Sequence, residues 1–206
     1  MHRTESDVAR ASALYFLQPV DQGLSAHQEV NDKVRSECEN VIAGTRSDLA
    51  YSRFVTIVEN RDAFAVVEYK KRGVIHDDEF NAALIDITPQ GTNIDTIVKN
   101  IIARNRGADA TLFKKSSLAI MKQASAYAIS HGTRYVAVFN WDVLLLIKFC
   151  CFNPAVADDG VGSYCEISYI PNGSMLQQPQ IMRKALLGFL FEAYRFHTAE
   201  VPAHLL

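Results

Sequence analysis

Ala65-Val66-Val67-Glu68-Tyr69-Lys70 is a short apolar, β-branched run that ends in a carboxylate and an amine one residue apart. Side chains of a strand alternate between its faces, so Glu68 and Lys70 point to one side while Val67 and Tyr69 point to the other. A charged pair at the end of an apolar strand is costly to bury without a task. Asp48 lies twenty positions before Glu68, in the extended segment that leads into this one. If that segment folds back beside the run, Asp48, Glu68 and Lys70 gather as two carboxylates and one ammonium. Such a set suits magnesium-assisted attack on a phosphodiester.

Working outward, Leu49 to Val58 and Ala63 to Lys70 read as a β-hairpin around the polar turn Glu59-Asn60-Arg61-Asp62. Upstream, Ser25 with Gln28 three residues later forms a capping-box pattern. Ala26, Val30, Val34, Cys38, Val41 and Ile42 then recur at helical spacing, which predicts a helix ending by Gly44. Before it, residues 1 to 24 read as a short helix followed by a loop at Gln18-Pro19-Val20-Asp21-Gln22-Gly23. Downstream, Asp77-Asp78-Glu79 reads as the acidic first turn of a short helix. Ala83 to Thr88 is a short strand or helix end, Pro89-Gln90-Gly91 a turn, and Ile94 to Ile102 a helix. Leu112 to His131 is a long helix stopped by Gly132. Arg134 to Phe139 and Val143 to Phe149 are strands joined by a tight turn at Asn140-Trp141-Asp142. A loop over 153–162, a strand from Ser163 to Ile170, a turn at Pro171-Asn172-Gly173 and an amphipathic helix from Pro179 to Phe196 close the chain. This order predicts an α/β protein with a small mixed β-sheet flanked by helices.

At 206 residues the chain suits one domain over 1–206, with a core of about 25–150 and a C-terminal elaboration over 151–206. Hydrophobic residues make up 49% and charged residues 21%, ordinary for a soluble globular protein. A net charge of −2 supplies no global basic field, so any nucleic-acid contact must rest on a local patch. The longest apolar run, Tyr135 to Phe152, is interrupted by Asn140, Asp142 and Lys148, which excludes a membrane span there. Ala13 to Leu17 is too short for the core of a secretory signal. Cys38, Cys150, Cys151 and Cys165 form no CxxC pair and read as reduced, mostly buried thiols of an intracellular protein, in cytoplasm or nucleus.

Asp48 followed by Glu68-x-Lys70, with a helix before and a helix and strands after, resembles the PD-(D/E)xK nuclease superfamily, with its restriction-endonuclease-like core. Ser47 stands where that superfamily usually has proline, a residue that does no chemistry. Gln123 and Tyr127 form a QxxxY pair that resembles the additional motif of the RecB-like branch. At i and i+4 the two side chains share one helix face. His131-Gly132-Thr133-Arg134-Tyr135-Val136-Ala137-Val138-Phe139 is similar to the helix-to-strand step after that motif, and to nuclease-like domains of fungal proteins. The likeness spans roughly residues 25–150.

This resemblance implies a Mg²⁺- or Mn²⁺-dependent nuclease acting on DNA. Asp48 and Glu68 would hold the ion, with Glu29 as the further acid from the first helix and Glu37 as its rival. Lys70, Gln123 and Tyr127 would complete the catalytic group. Lys71 and Arg72 beside the site, and Lys114, Lys115 and Lys122 along the later helix, are the expected nucleic-acid contacts. Between Lys99 and Lys122, Lys99, Arg104 and Arg106 add to that basic excess against one acid, Asp109. The rival expectation keeps the fold without nuclease activity, as a binding or regulatory module or an enzyme on another substrate. A third makes the chain a purely structural interaction domain, favoured if the last helix buries Leu186, Leu187, Phe189, Leu190 and Phe191 against a partner; that helix is apolar enough to dock on its own core or on a second copy as a homodimer.

Other motifs point elsewhere. His76-Asp77-Asp78-Glu79 looks metal-like, but consecutive residues rarely converge on one ion. His131 before Gly132 reads as a helix C-terminal histidine favoured by the dipole. Trp141 is either an exposed contact residue or a turn aromatic folded onto the sheet. No GxSxG, GxxxxGK[ST] or GxGxxG is present.

Overall fold

The computed structural model describes residues 4–27, 30, 34–42, 45–53, 62–84, 96–97, 100, 111–150, 164–172 and 180–200. One six-stranded sheet organises them, in the order β1 (Val34–Ile42), β2 (Thr45–Arg53), β3 (Asp62–Tyr69), β4 (Tyr135–Phe139), β5 (Val143–Cys150) and β6 (Tyr164–Pro171). All neighbours are antiparallel except β3 and β4, the two middle strands, which run parallel. Parallel neighbours need a long crossover, and the chain between them supplies one that contains α3 (Asp77–Asn81) and α4 (Lys115–His131). Helices cover both faces of the middle strands, so β3 and β4 are near-continuous apolar runs rather than alternating ones. Every residue of β4 is buried.

Each face has its own core. On one face lie α1 (Glu5–Ser12), a π-helical turn (Ala13–Leu17), α2 (Gln18–Ser25) and the C-terminal α5 (Ile181–Glu200). Val8, Phe16, Leu24, Leu186 and Leu190 pack there on Leu49, Tyr51, Val67, Phe139 and Leu144. On the other face Phe80, Ile120, Ala124, Tyr127 and Ala128 pack on Val66, Val136, Val138, Leu145 and Ile147. The first and last helices are therefore part of the core. Leu186 and Leu190 of α5 are fully buried on the chain's own sheet. Close packing extends to the helix pair: a Cβ on Gly23 of α2 would lie 2.9 Å from Leu187 Cδ2.

Two expected elements are corrected. Val34 to Ile42 is a strand, not the end of a helix starting at Ser25. It pairs with β2 from Val34↔Arg53 to Ile42↔Thr45. The helical spacing of Val34, Cys38 and Val41 fits either state over so few residues, and the β-branched Val41-Ile42 end favours the extended one. The ladder with β2 decides it. The segment expected as a loop at residues 18–23 is helix α2. Pro19 sits in its first turn, directly after the π-helical turn. The expected turns at residues 59–61 and 89–91, the segment 85–88 and the loop at 153–162 lie outside the described residues. Of the helix expected over 94–102, residues 96, 97 and 100 are described and helical.

The remaining punctuation follows local rules. α1 opens on a capping box, with Thr4 Oγ1 accepting from the Asp7 N–H at 3.1 Å and Asp7 accepting from the Thr4 N–H at 3.1 Å. Gly132 closes α4 in the left-handed region at φ 64°. A side chain there is strained, so Gly132→Ala is expected to cost about 1 kcal/mol, measurable as a lowered urea midpoint at unchanged slope. No helix among the described residues is long and apolar enough to cross a membrane. Cys38 is exposed, whereas Cys150 and Cys165 are half-buried, and none of the three forms a disulfide.

Candidate metal and phosphate site

The site forms where β2 enters and β3 leaves the sheet. Leu49↔Val67 and Ala50↔Val66 set the register. One residue before that register begins, Asp48 lies near enough for its charge to act on Glu68. Asp48 Oδ2 accepts from the Tyr69 backbone N–H at 2.7 Å, which fixes this carboxylate against β3. Ser47, buried beside it, pairs with Asn40 across the β1–β2 ladder.

Glu68 is the centre. It is 6% exposed, and its Oε1 accepts from Lys70 Nζ at 2.6 Å and from Gln123 Nε2 at 2.8 Å. Gln123 Nε2 also approaches the Tyr127 hydroxyl, which in turn hydrogen-bonds Glu68. The i, i+4 spacing on α4 thus presents both polar tips to one carboxylate. Glu68 Oε2 is buried and has no hydrogen-bond partner. Burial raises the Glu68 pKa above the ordinary carboxylate value; the Lys70 hydrogen bond opposes that rise and the Asp48 charge adds to it. Burial, then the Glu68 charge, pushes the Tyr127 phenol well above its usual range, so it stays a donor at neutral pH.

Among the described residues no three His, Cys, Asp or Glu side chains gather closely enough to hold a metal alone. The donor set at this site is two carboxylates, Asp48 and Glu68. That number fits magnesium, which keeps several waters and binds through one or two carboxylates plus phosphate oxygens. The orphaned Glu68 Oε2 fits the same ion, because a buried carboxylate oxygen without a donor is costly until a cation meets it.

Glu29 lies outside the described residues, and α2 ends before it at Ser25. Glu37 sits on β1 instead of a helix. The helix acid that does approach is Glu5, in the first turn of α1, with Oε1 3.9 Å from Lys70 Nζ. Its signal was legible in the Thr4-x-x-Asp7 box that marks where α1 begins.

The basic residues scatter. Lys71 and Arg72 are exposed next to Lys70, and Arg72 is committed to Asp142, its Nε donating to Oδ1 at 2.9 Å. Surface pairs of this kind are worth at most about 1 kcal/mol. Lys114 and Lys115 are exposed at the start of α4, roughly 12 Å by helix rise from Gln123. Lys122 is exposed beside Gln123. Lys99, Arg104 and Arg106 lie outside the described residues. Of the acidic cluster at 76–79, Glu79 Oε2 accepts the Ser117 N–H at 2.8 Å and so caps α4.

The β4–β5 turn borders this end of the sheet. Lys70 N–H donates to the Phe139 carbonyl at 2.9 Å. Asn140 Oδ1 accepts from the N–H groups of Asp142 and Val143, holding Trp141 at φ 70°. The indole folds back onto the sheet, 5.3 Å from the Phe139 ring. No protein-family model, curated protein or solved structure matches the chain significantly.

Proposed function

We propose that the protein is a Mg²⁺- or Mn²⁺-dependent nuclease of the PD-(D/E)xK type, hydrolysing DNA phosphodiesters at Asp48, Glu68 and Lys70. The observation that carries this reading is the partnerless Glu68 Oε2, held beside Asp48 and Lys70 at the mouth of the central strands. Asp48 and Glu68 would hold the ion, which would supply Lewis-acid polarisation and a more acidic bound water. Lys70, held 2.6 Å from Glu68, is placed to donate to the attacking water or to a phosphoryl oxygen as charge builds on it. Water oxygen bonds to phosphorus, the phosphorus–oxygen bond to the departing strand breaks, and the departing oxygen takes a proton. Lys70 and Gln123 keep Glu68 Oε1 occupied, so that Oε2 is the oxygen left for a cation. Glu5 fills the place of the expected helix acid by keeping negative charge near Lys70. Lys71 and Lys122 supply backbone contacts, and the net charge of −2 limits their number.

The test is cleavage of plasmid and single-stranded DNA with Mg²⁺ or Mn²⁺, comparing the parent with Lys70→Ala. We expect a loss of about 100-fold or more, the scale on which a positioned charge or donor acts. Undiminished cleavage by Lys70→Ala would overturn the assignment. A second reading, a module of the same fold without phosphodiester chemistry, is favoured by the Lys70–Glu68 ion pair, in which the carboxylate already has a cation at 2.6 Å. Calorimetry separates the two: Mg²⁺ or Mn²⁺ uptake that disappears in Asp48→Ala supports the nuclease, and no uptake supports the module.

A further inference from the structure

His131 is the last residue of α4, one turn beyond Tyr127, and is 7% exposed. Both of its ring nitrogens are buried without a hydrogen-bond partner. Its imidazole meets the Tyr127 ring edge-on, with centroids 6.5 Å apart and planes at 68°. The other end of Tyr127 is the hydroxyl that engages Gln123 and Glu68. One aromatic side chain therefore has a buried imidazole at its edge and the candidate site at its tip.

We infer that His131 is a positioning residue: as a neutral imidazole it seats Tyr127 against Gln123 and Glu68, and on taking a proton it releases them. A neutral ring can sit in this apolar place at the cost of unmade hydrogen bonds. A cation there has no acceptor on either nitrogen, and an unpaired buried charge is far more costly. The α4 dipole favours a cation at this end of the helix. Burial opposes it and prevails, lowering the His131 pKa below the ordinary histidine value. Tyr127 of its own helix is the titratable group that faces it. Burial is what lowers the His131 pKa. As pH falls, the proton enters by moving the ring toward water, and the last turn of α4 must shift to let it out. Tyr127 shifts with it.

The seating of Tyr127 stands apart from nuclease activity; only the effect on cleavage rests on the function proposed above. The experiment is an NMR titration of the parent from pH 8 to pH 5, following the His131 imidazole and the Tyr127 ring, the latter assigned with Tyr127→Phe. His131→Phe, which keeps an aromatic edge and cannot titrate, is compared with His131→Gln. We expect His131 to titrate below the ordinary histidine value and the Tyr127 ring resonances to move with the same midpoint. In His131→Phe that movement should vanish while the neutral-pH Tyr127 environment is kept. If DNA cleavage is observed, its acid limb should move to lower pH in His131→Phe. A His131 midpoint at or above the ordinary value overturns the inference. So does a Tyr127 ring that ignores the His131 titration, a result the parent protein alone can deliver.

Discussion

Glu68→Gln is expected to lower the proposed Mg²⁺-dependent DNA cleavage by about 10³-fold, while leaving the protein at least as stable as the parent. The two effects share one cause. Glu68 is 6% exposed, and its Oε2 has no partner. Its pKa is raised in the folded state chiefly by burial. Between the ordinary carboxylate pKa and that raised value, the folded protein binds more protons than the unfolded chain. Stability contributed by this group therefore falls as pH rises through that window, and the loss is complete above the folded pKa. Glutamine keeps an oxygen for Lys70 and Gln123 without the buried charge. The thermal midpoint of Glu68→Gln relative to the parent should thus increase from pH 4.5 to pH 7.5. Millimolar Mg²⁺ or Mn²⁺ should raise the parent's midpoint and leave the variant's unchanged, because a ligand stabilises only the form that binds it. A variant that cleaves DNA normally would remove Glu68 from the chemistry. One that melts well below the parent at neutral pH would show Glu68 to be a structural ion-pair partner instead.

Phe139→Ala should have the largest effect on stability, about 3–5 kcal/mol. Phe139 ends β4 fully buried. Its ring stacks on Phe16 at 4.2 Å and 4°, and meets Tyr69 edge-on at 6.5 Å and Trp141 at 5.3 Å. Truncation leaves a cavity between the π-helical turn and the sheet that these rigid neighbours cannot collapse to fill. Against a typical stability of about 5–15 kcal/mol, such a loss removes much of the folded margin. Urea denaturation followed by far-ultraviolet circular dichroism would measure it. A shift under about 1 kcal/mol would mean that the neighbours close over the truncated side chain and that no lasting cavity forms. The site should suffer too, since the Lys70 N–H is held by the Phe139 carbonyl.

Much of this arrangement could be read along the chain, where the governing contacts are local. The alternation through Val66, Val67, Glu68, Tyr69 and Lys70 placed Glu68 and Lys70 on one face, and the two are 2.6 Å apart. The four-residue step from Gln123 to Tyr127 put both on one side of α4, where both reach Glu68. Gly132 marked the end of that helix, and the apolar runs on either side of Asn140-Trp141-Asp142 became β4 and β5. Expectations failed where the outcome depended on a distant partner. Val34 to Ile42 carries a spacing compatible with a helix, and only β2 alongside makes it a strand. With that helix gone, the nearby helix acid became Glu5, from a segment whose first turn reaches Lys70 only because α1 packs across β3. His131 has a helix-end position that favours a proton, yet its burial in the folded protein reverses the preference. Alternation, helical steps and caps depend on neighbours within a few residues and are written in order along the chain. Strand pairing, burial and the choice of which acid meets Lys70 depend on surfaces that come together only when the sheet has formed.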